Sequence, residues 1–167
     1  MVLTRRRVLA GAAALAAAPA AAQTPPPPKP GQTVVIDGRT VHLTVPDQTW
    51  KTLTSTKVRS DRKRGVMLAD FPEGVQALNG RPFAIQGFIL PLEASPRFSR
   101  FLLTKTNFAC GFCPPPQPTE VIDVRLGRGR RVKATLDPVR VSGRLELVAS
   151  SEESVFYRLH DAVMVRA

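Results

Sequence analysis

From Pro82 onward the chain keeps returning to an alternation of apolar and polar residues, and nowhere there do apolar residues recur at long helical spacing. A period of two sends successive side chains to opposite faces of a strand, so the pattern excludes a helical bundle and predicts half-buried strands. Five candidates follow in order: Pro82 to Leu90, Phe98 to Lys105, Glu120 to Leu126, Val139 to Ala149 and Ser154 to Arg166. In the fourth, Val139, Val141, Gly143, Leu145 and Leu147 fall on one face. Gly87 interrupts the first, and a glycine inside a strand predicts a bulge or a sharply coiled strand. Gly-rich or acidic turns separate several of the runs, and no internal repeat is visible. The set reads as an all-β barrel or sandwich.

The earlier part of the chain divides by composition. Arg5, Arg6 and Arg7 precede a short Ala-rich apolar stretch from Val8 to Ala18, and Ala20-Ala21-Ala22 supplies small residues for a signal peptidase. The stretch is shorter than the ~20 residues a membrane-spanning helix needs. Residues 1–22 are therefore expected to be a signal peptide cleaved after Ala22. Thr4-Arg5-Arg6-Arg7-Val8-Leu9 looks like a twin-arginine export motif, with an ordinary secretory signal as the alternative. Residues 23–31, with Pro25 to Pro28 and Pro30, are expected to be an extended linker. Thr33 to Ile36 and Thr40 to Val45 flank Asp37-Gly38, the signal of a β-hairpin within residues 32–46. Lys51 to Arg64 carries six basic residues and one acid without apolar periodicity, and reads as a loop or irregular basic segment.

Loss of residues 1–22, which hold three arginines and no acid, lowers the net charge from +11 to +8. So basic a chain suits anionic lipid, nucleic acid or an acidic protein; export leaves nucleic acid the poorest fit. A soluble periplasmic domain is the expectation.

Cys110 and Cys113 are the only cysteines, at the spacing Cys-x-x-Cys between two predicted strands. Three chemistries compete. An oxidising compartment favours a local disulfide, although so small a loop gains little unfolded-state entropy. A dithiol redox pair normally places its first thiolate at a helix N-terminus; here Pro114-Pro115-Pro116 and Pro118 follow, and such a run supplies no helix. Two thiolates can also chelate a soft or borderline ion such as zinc or copper(I), but a closed zinc site needs about four ligands. The other candidates are His42, His160 and Asp161, and a histidine on a strand is more often a packed or surface residue than a ligand. Other catalytic templates are missing: there is no Gly-x-Ser-x-Gly, no phosphate-cradling glycine loop and no His-Glu-x-x-His. Glu152-Glu153 is an adjacent pair on a turn. Phe98, Phe101, Phe108 and Phe112 stand among basic residues as base-stacking platforms do, with core packing the commoner use.

Trp50 and Leu53, Phe71-Pro72-Glu73-Gly74-Val75, Leu78-Asn79-Gly80, Gly87-Phe88-Ile89-Leu90-Pro91-Leu92, Phe101-Leu102-Leu103, Cys110-Gly111-Phe112-Cys113-Pro114-Pro115-Pro116 and Val141-Ser142-Gly143 together resemble the DUF3299 family of exported bacterial proteins. The resemblance covers about residues 45–167 and leaves the hairpin outside it. It implies a small barrel akin to an OB-fold over residues 47–167. It further implies a non-enzymatic periplasmic partner of an ABC-type transport system, such as its permease, linked to zinc supply. Some relatives carry Cys-x-His where this chain has Cys110 to Cys113. Such a swap keeps a metal ligand and destroys a disulfide or dithiol, which shifts weight toward metal contact by Cys110 and Cys113. The dithiol redox protein and the structural module with an inert disulfide stay open.

Overall fold

The structure, a computed structural model, describes residues 48–108 and 114–165, together with the backbone of 33–36 and 39–42. The predicted signal peptide and linker, the hairpin turn Asp37-Gly38, and Cys110 and Cys113 lie outside the described residues. Strands β1 (Thr33–Ile36) and β2 (Arg39–His42) pair antiparallel from Thr33 with His42 to Ile36 with Arg39, the hairpin that the β-branched runs predict.

Five strands close a barrel: β5 (Pro82–Pro91), β6 (Arg100–Thr104), β7 (Val121–Leu126), β8 (Val139–Leu147) and β10 (Tyr157–Val165). The order around it is β10-β7-β6-β5-β8, antiparallel except at the seam where β7 and β10 run parallel. A five-stranded closed barrel settles the choice between barrel and sandwich, and it has the OB-like form that the family resemblance implies. β5 serves two neighbours. Residues 82–87 pair with β8, and Phe88 to Pro91 pair with β6.

Gly87 sits where β5 changes partner. The pairing passes this point without the register shift of a bulge, and a Cβ at Gly87 would lie 2.7 Å from the Thr104 carbonyl oxygen and 2.8 Å from Leu103 Cγ. On β8, a Cβ added at Gly143 would likewise lie 2.6 Å from the His160 carbonyl oxygen. Opposite it, β10 shifts register between His160 and Val163, and Asp161 adopts φ 51°, unusual for a residue with a Cβ.

The alternation fills the barrel. Phe83, Ile85, Phe88, Phe101, Leu103, Ile122, Val124, Val141, Leu145 and Leu159 are buried, and burial of each such side chain is worth about 1.5–3 kcal/mol. Two short helices add to this core. In α1 (Gln48–Leu53) Trp50 and Leu53 are buried one turn apart, and the Trp50 indole N–H donates to the Gln86 carbonyl at 2.7 Å. α2 (Glu73–Gln76) buries Val75. The Tyr157 hydroxyl fixes α1 to β10 through the Leu53 carbonyl at 2.8 Å and Thr56 Oγ1 at 2.7 Å.

Two expectations are corrected. The stretch from Lys51 to Arg64 is not irregular: it completes α1 and forms β3 (Lys57–Asp61), which pairs with β4 (Val66–Asp70). β4 in turn pairs with the two-residue β9 (Ser150–Ser151). This small sheet is only half-buried, which is why its basic strand lacks a clean alternation. β6 begins at Arg100, while Phe98 forms a separate antiparallel bridge with Val132.

Candidate functional site

The connection from β6 to β7 carries the cysteine motif, and both of its ends are pinned. Thr104, buried at the end of β6, donates its hydroxyl to the Thr106 carbonyl at 2.8 Å. Next to it the Lys105 N–H donates to the Glu120 carbonyl at 3.2 Å, and Lys105 Nζ meets Glu120 Oε1 at 2.7 Å. The other oxygen of Glu120 accepts the Gln117 N–H at 3.2 Å, closing the 3₁₀ turn Pro118–Glu120. Pro118 opens that turn, a position where its missing N–H costs nothing. Asn107 Nδ2 donates to the Leu136 carbonyl at 2.9 Å, tying the connection to the β7–β8 loop. Phe108, 51% exposed, and Pro114 and Pro115, also exposed, flank residues 109–113 on either side.

The remaining predicted ligands lie on two strands, β2 and β10. His42 lies on β2, of which only the backbone is described. His160 lies on the outer face of β10, its Nε2 2.6 Å from Glu146 Oε2 on β8. That bond, with help from the charges of Arg158 and Arg125, holds the Glu146 carboxyl below its ordinary range. Asp161 is largely exposed, 3.9 Å from Arg144, beside a cleft of about 420 Å³ that Gly80, Ser142 and Gly143 help to line. Among the described residues no three of His, Cys, Asp and Glu gather as a metal-binding group.

Several charges on the outer barrel face pair with one another. Asp123 is 2% exposed; Arg100 donates to it from Nε at 2.9 Å and Nη2 at 3.0 Å, and Arg125 at 3.2 and 3.1 Å. The bond to Asp123 raises the Arg100 pKa further. A carboxylate bound by two guanidinia is a structural counter-ion and no free base. Of the four phenylalanines, Phe98 and Phe101 pack edge to face in the core at 5.9 Å, as core packing predicts. Phe108 is exposed and Phe112 lies outside the described residues.

One cluster escapes the sequence reading. Arg128, Arg130, Arg131 and Lys133 stand exposed on the β7–β8 connection with no acid among residues 127–133. Its signal is a plain run of like charge, overshadowed by the longer basic stretch at 51–64.

Comparisons with known proteins come down to one family. The profile described as "Protein of unknown function (DUF3299)" matches residues 44–164. The chain is similar to the crystal structure of a DUF3299 family protein from Pseudomonas aeruginosa PAO1, with 26% identity. That likeness covers 59% of this chain and 68% of the other, with a TM-score of 0.45. No curated protein matches.

Proposed function

The chain belongs to the DUF3299 family, and from that premise we propose that it is an exported, non-enzymatic accessory protein of a zinc-associated ABC transport system. Its Cys110–Cys113 loop makes the metal contact. The braced connection supports this reading: Lys105 is locked to Glu120 and Asn107 to the β7–β8 loop, while Phe108, Pro114 and Pro115, which border residues 109–113 in sequence, are exposed. Two thiolates are an incomplete set for zinc and a fitting one for copper(I). His160 is engaged by Glu146, and Glu120 by Lys105 and Gln117, so neither is a spare third ligand. The donor set fits an ion held for hand-over, with further ligands from a partner such as the permease, better than a closed structural site.

Metal titration with thiol counting tests it on the chain that begins at Gln23. One zinc or copper(I) per chain, lost in Cys113→Ser with unchanged thermal unfolding, supports metal contact. Turnover in a disulfide-reductase assay supports the alternative, a dithiol redox protein. An always oxidised pair that binds no metal overturns both and leaves a structural interaction module. N-terminal sequencing of the periplasmic form, expected to start at Gln23, checks the compartment.

A further inference from the structure

Most charged side chains of the barrel strands are paired: Arg100 and Arg125 share Asp123, Arg144 faces Asp161, and His160 meets Glu146, whereas Arg140 and Arg158 take part in no ion pair among the described residues. On the connections β5–β6 (residues 92–99) and β7–β8 (residues 127–138), Arg97, Arg128, Arg130, Arg131 and Lys133 are all exposed. Among the described residues none of these five takes part in an ion pair. The acids of the two connections are Glu93 and Asp137, and Asp137 is turned toward Thr135, bonded through its own N–H and carboxylate.

These cations are held in place. Gly127 donates its N–H to the Ala162 carbonyl of β10 at 3.0 Å, and Arg130 donates to the Gly127 carbonyl at 3.0 Å. Gly129 takes φ 76°, the left-handed conformation that a turn with glycine at its third position requires. Three residues on, Val132 exchanges both backbone bonds with Phe98 at 3.0 Å, and Phe98 is 1% exposed in the core. The turn that bears Arg128, Arg130 and Arg131 is thus nailed to the barrel at both ends. The antiparallel bridge also sets Arg97 and Lys133, its flanking residues on one side, at the same edge. Like charges so placed repel, a cost that a bound anion relieves.

We infer that this rim is a docking surface for a bilayer rich in anionic phospholipid. Two observations favour lipid over an acidic protein. The cations stand on surface turns, suited to a flat, diffuse array of phosphates. Each connection also carries one large exposed aliphatic side chain, Leu92 and Leu136, both 48% exposed, and interfacial binding combines such groups with basic residues. The inference is independent of the cysteines and stands or falls without them.

Co-sedimentation with vesicles tests it. The chain beginning at Gln23 is used, since the buried core runs from Trp50 to Ala162 and the removed segment is itself apolar. Binding is expected to phosphatidylcholine vesicles containing about 30% phosphatidylglycerol and not to pure phosphatidylcholine, and to fade as salt shortens the screening length. The triple change Arg128→Gln, Arg130→Gln, Arg131→Gln should cost about fivefold per charge, on the order of 100-fold in all. The matched change Arg62→Gln, Lys63→Gln, Arg64→Gln on the β3–β4 turn removes the same charge and should cost less than about fivefold. Replacement of the same three arginines by lysine should keep most binding, which separates lost charge from lost fold. Equal losses in the two glutamine variants overturn the inference, as does equal binding to neutral vesicles. Binding to polyglutamate with none to vesicles overturns it in favour of an acidic protein.

Discussion

Gly87→Ala isolates the closest approach in the barrel. The added Cβ would lie 2.7 Å from the Thr104 carbonyl oxygen and 2.8 Å from Leu103 Cγ, whereas ordinary contact begins near 3.4 Å. Leu103 can turn only within a filled core, and the carbonyl belongs to backbone, so β6 must move by roughly 0.6 Å relative to β5. That displacement stretches the bonds around the pair Phe88 and Thr104 toward the limit of useful length. Overpacking and one or two weakened bonds together cost about 3–4 kcal/mol. Alanine returns about 0.5–1 kcal/mol by restricting the unfolded chain. The net loss of about 2–3 kcal/mol corresponds to a fall in melting temperature of roughly 8–12 °C for a domain of this size. Trp50, the sole tryptophan, is the reporter: its indole is bonded to Gln86, the residue next to the change. Urea titration followed by its fluorescence should give a lower midpoint at unchanged slope. Gly74→Ala is the control, because a Cβ there meets nothing within 4 Å. A Gly87→Ala protein melting within about 1 °C of the parent, against the expected range, would show that β5 and β6 have room to spare and refute the reasoning.

Three further outcomes are expected. Tyr157 is the only tyrosine, and burial pushes its pKa up to about 12, so its phenolate absorbance should appear well above the ordinary pH 10. A pKa raised by folding gives stability that is intact below the unfolded value and lost as pH rises from about 10 to about 12; Tyr157→Phe should abolish that slope and cost about 1–2 kcal/mol in urea. Asp123→Asn leaves Arg100 and Arg125 facing each other; because both guanidinia are nearly half exposed, a loss of about 1–2 kcal/mol is expected, smaller in high salt. For Glu146 the bond from His160 depresses the folded pKa below the ordinary 4.5, so its contribution is present above that pH and lost as pH falls through the folded value. Glu146→Gln should flatten the acid limb of the urea midpoint against pH.

The barrel strands were legible because one face of each fills the core. The pattern at Val139, Val141, Gly143, Leu145 and Leu147 places β8 within two residues of its observed end. Gly87, expected to mark a bulge or a sharply coiled strand, stands at a close approach that a Cβ would obstruct, where β5 passes from one partner to the other. What could not be read is what depends on partners far apart in sequence: that β7 and β10 run parallel, that β5 is shared, and that Phe98 reaches Val132. β3 was missed because its Lys57 and Arg59 face solvent while its partners are only half covered. α1 was missed because Trp50 and Leu53 are two residues, too few to display a period. The candidate site divides likewise. Cys110 and Cys113 announce themselves by spacing alone, whereas Lys105, Glu120 and Asn107 brace the loop through contacts that no spacing encodes.

The parallel seam between β7 and β10 also sets the order in which the chain can become a protein. The pairs β5–β6 and β6–β7 join neighbouring segments and can form early, but β7 receives its second partner only from residues 157–165. Until those residues leave the ribosome, the nascent chain is an open sheet with bare backbone edges on β7 and β8, the kind of edge on which aggregation begins. A premature stop before Tyr157 would therefore do more than trim a strand: it would strand the whole sheet in its most adhesive form.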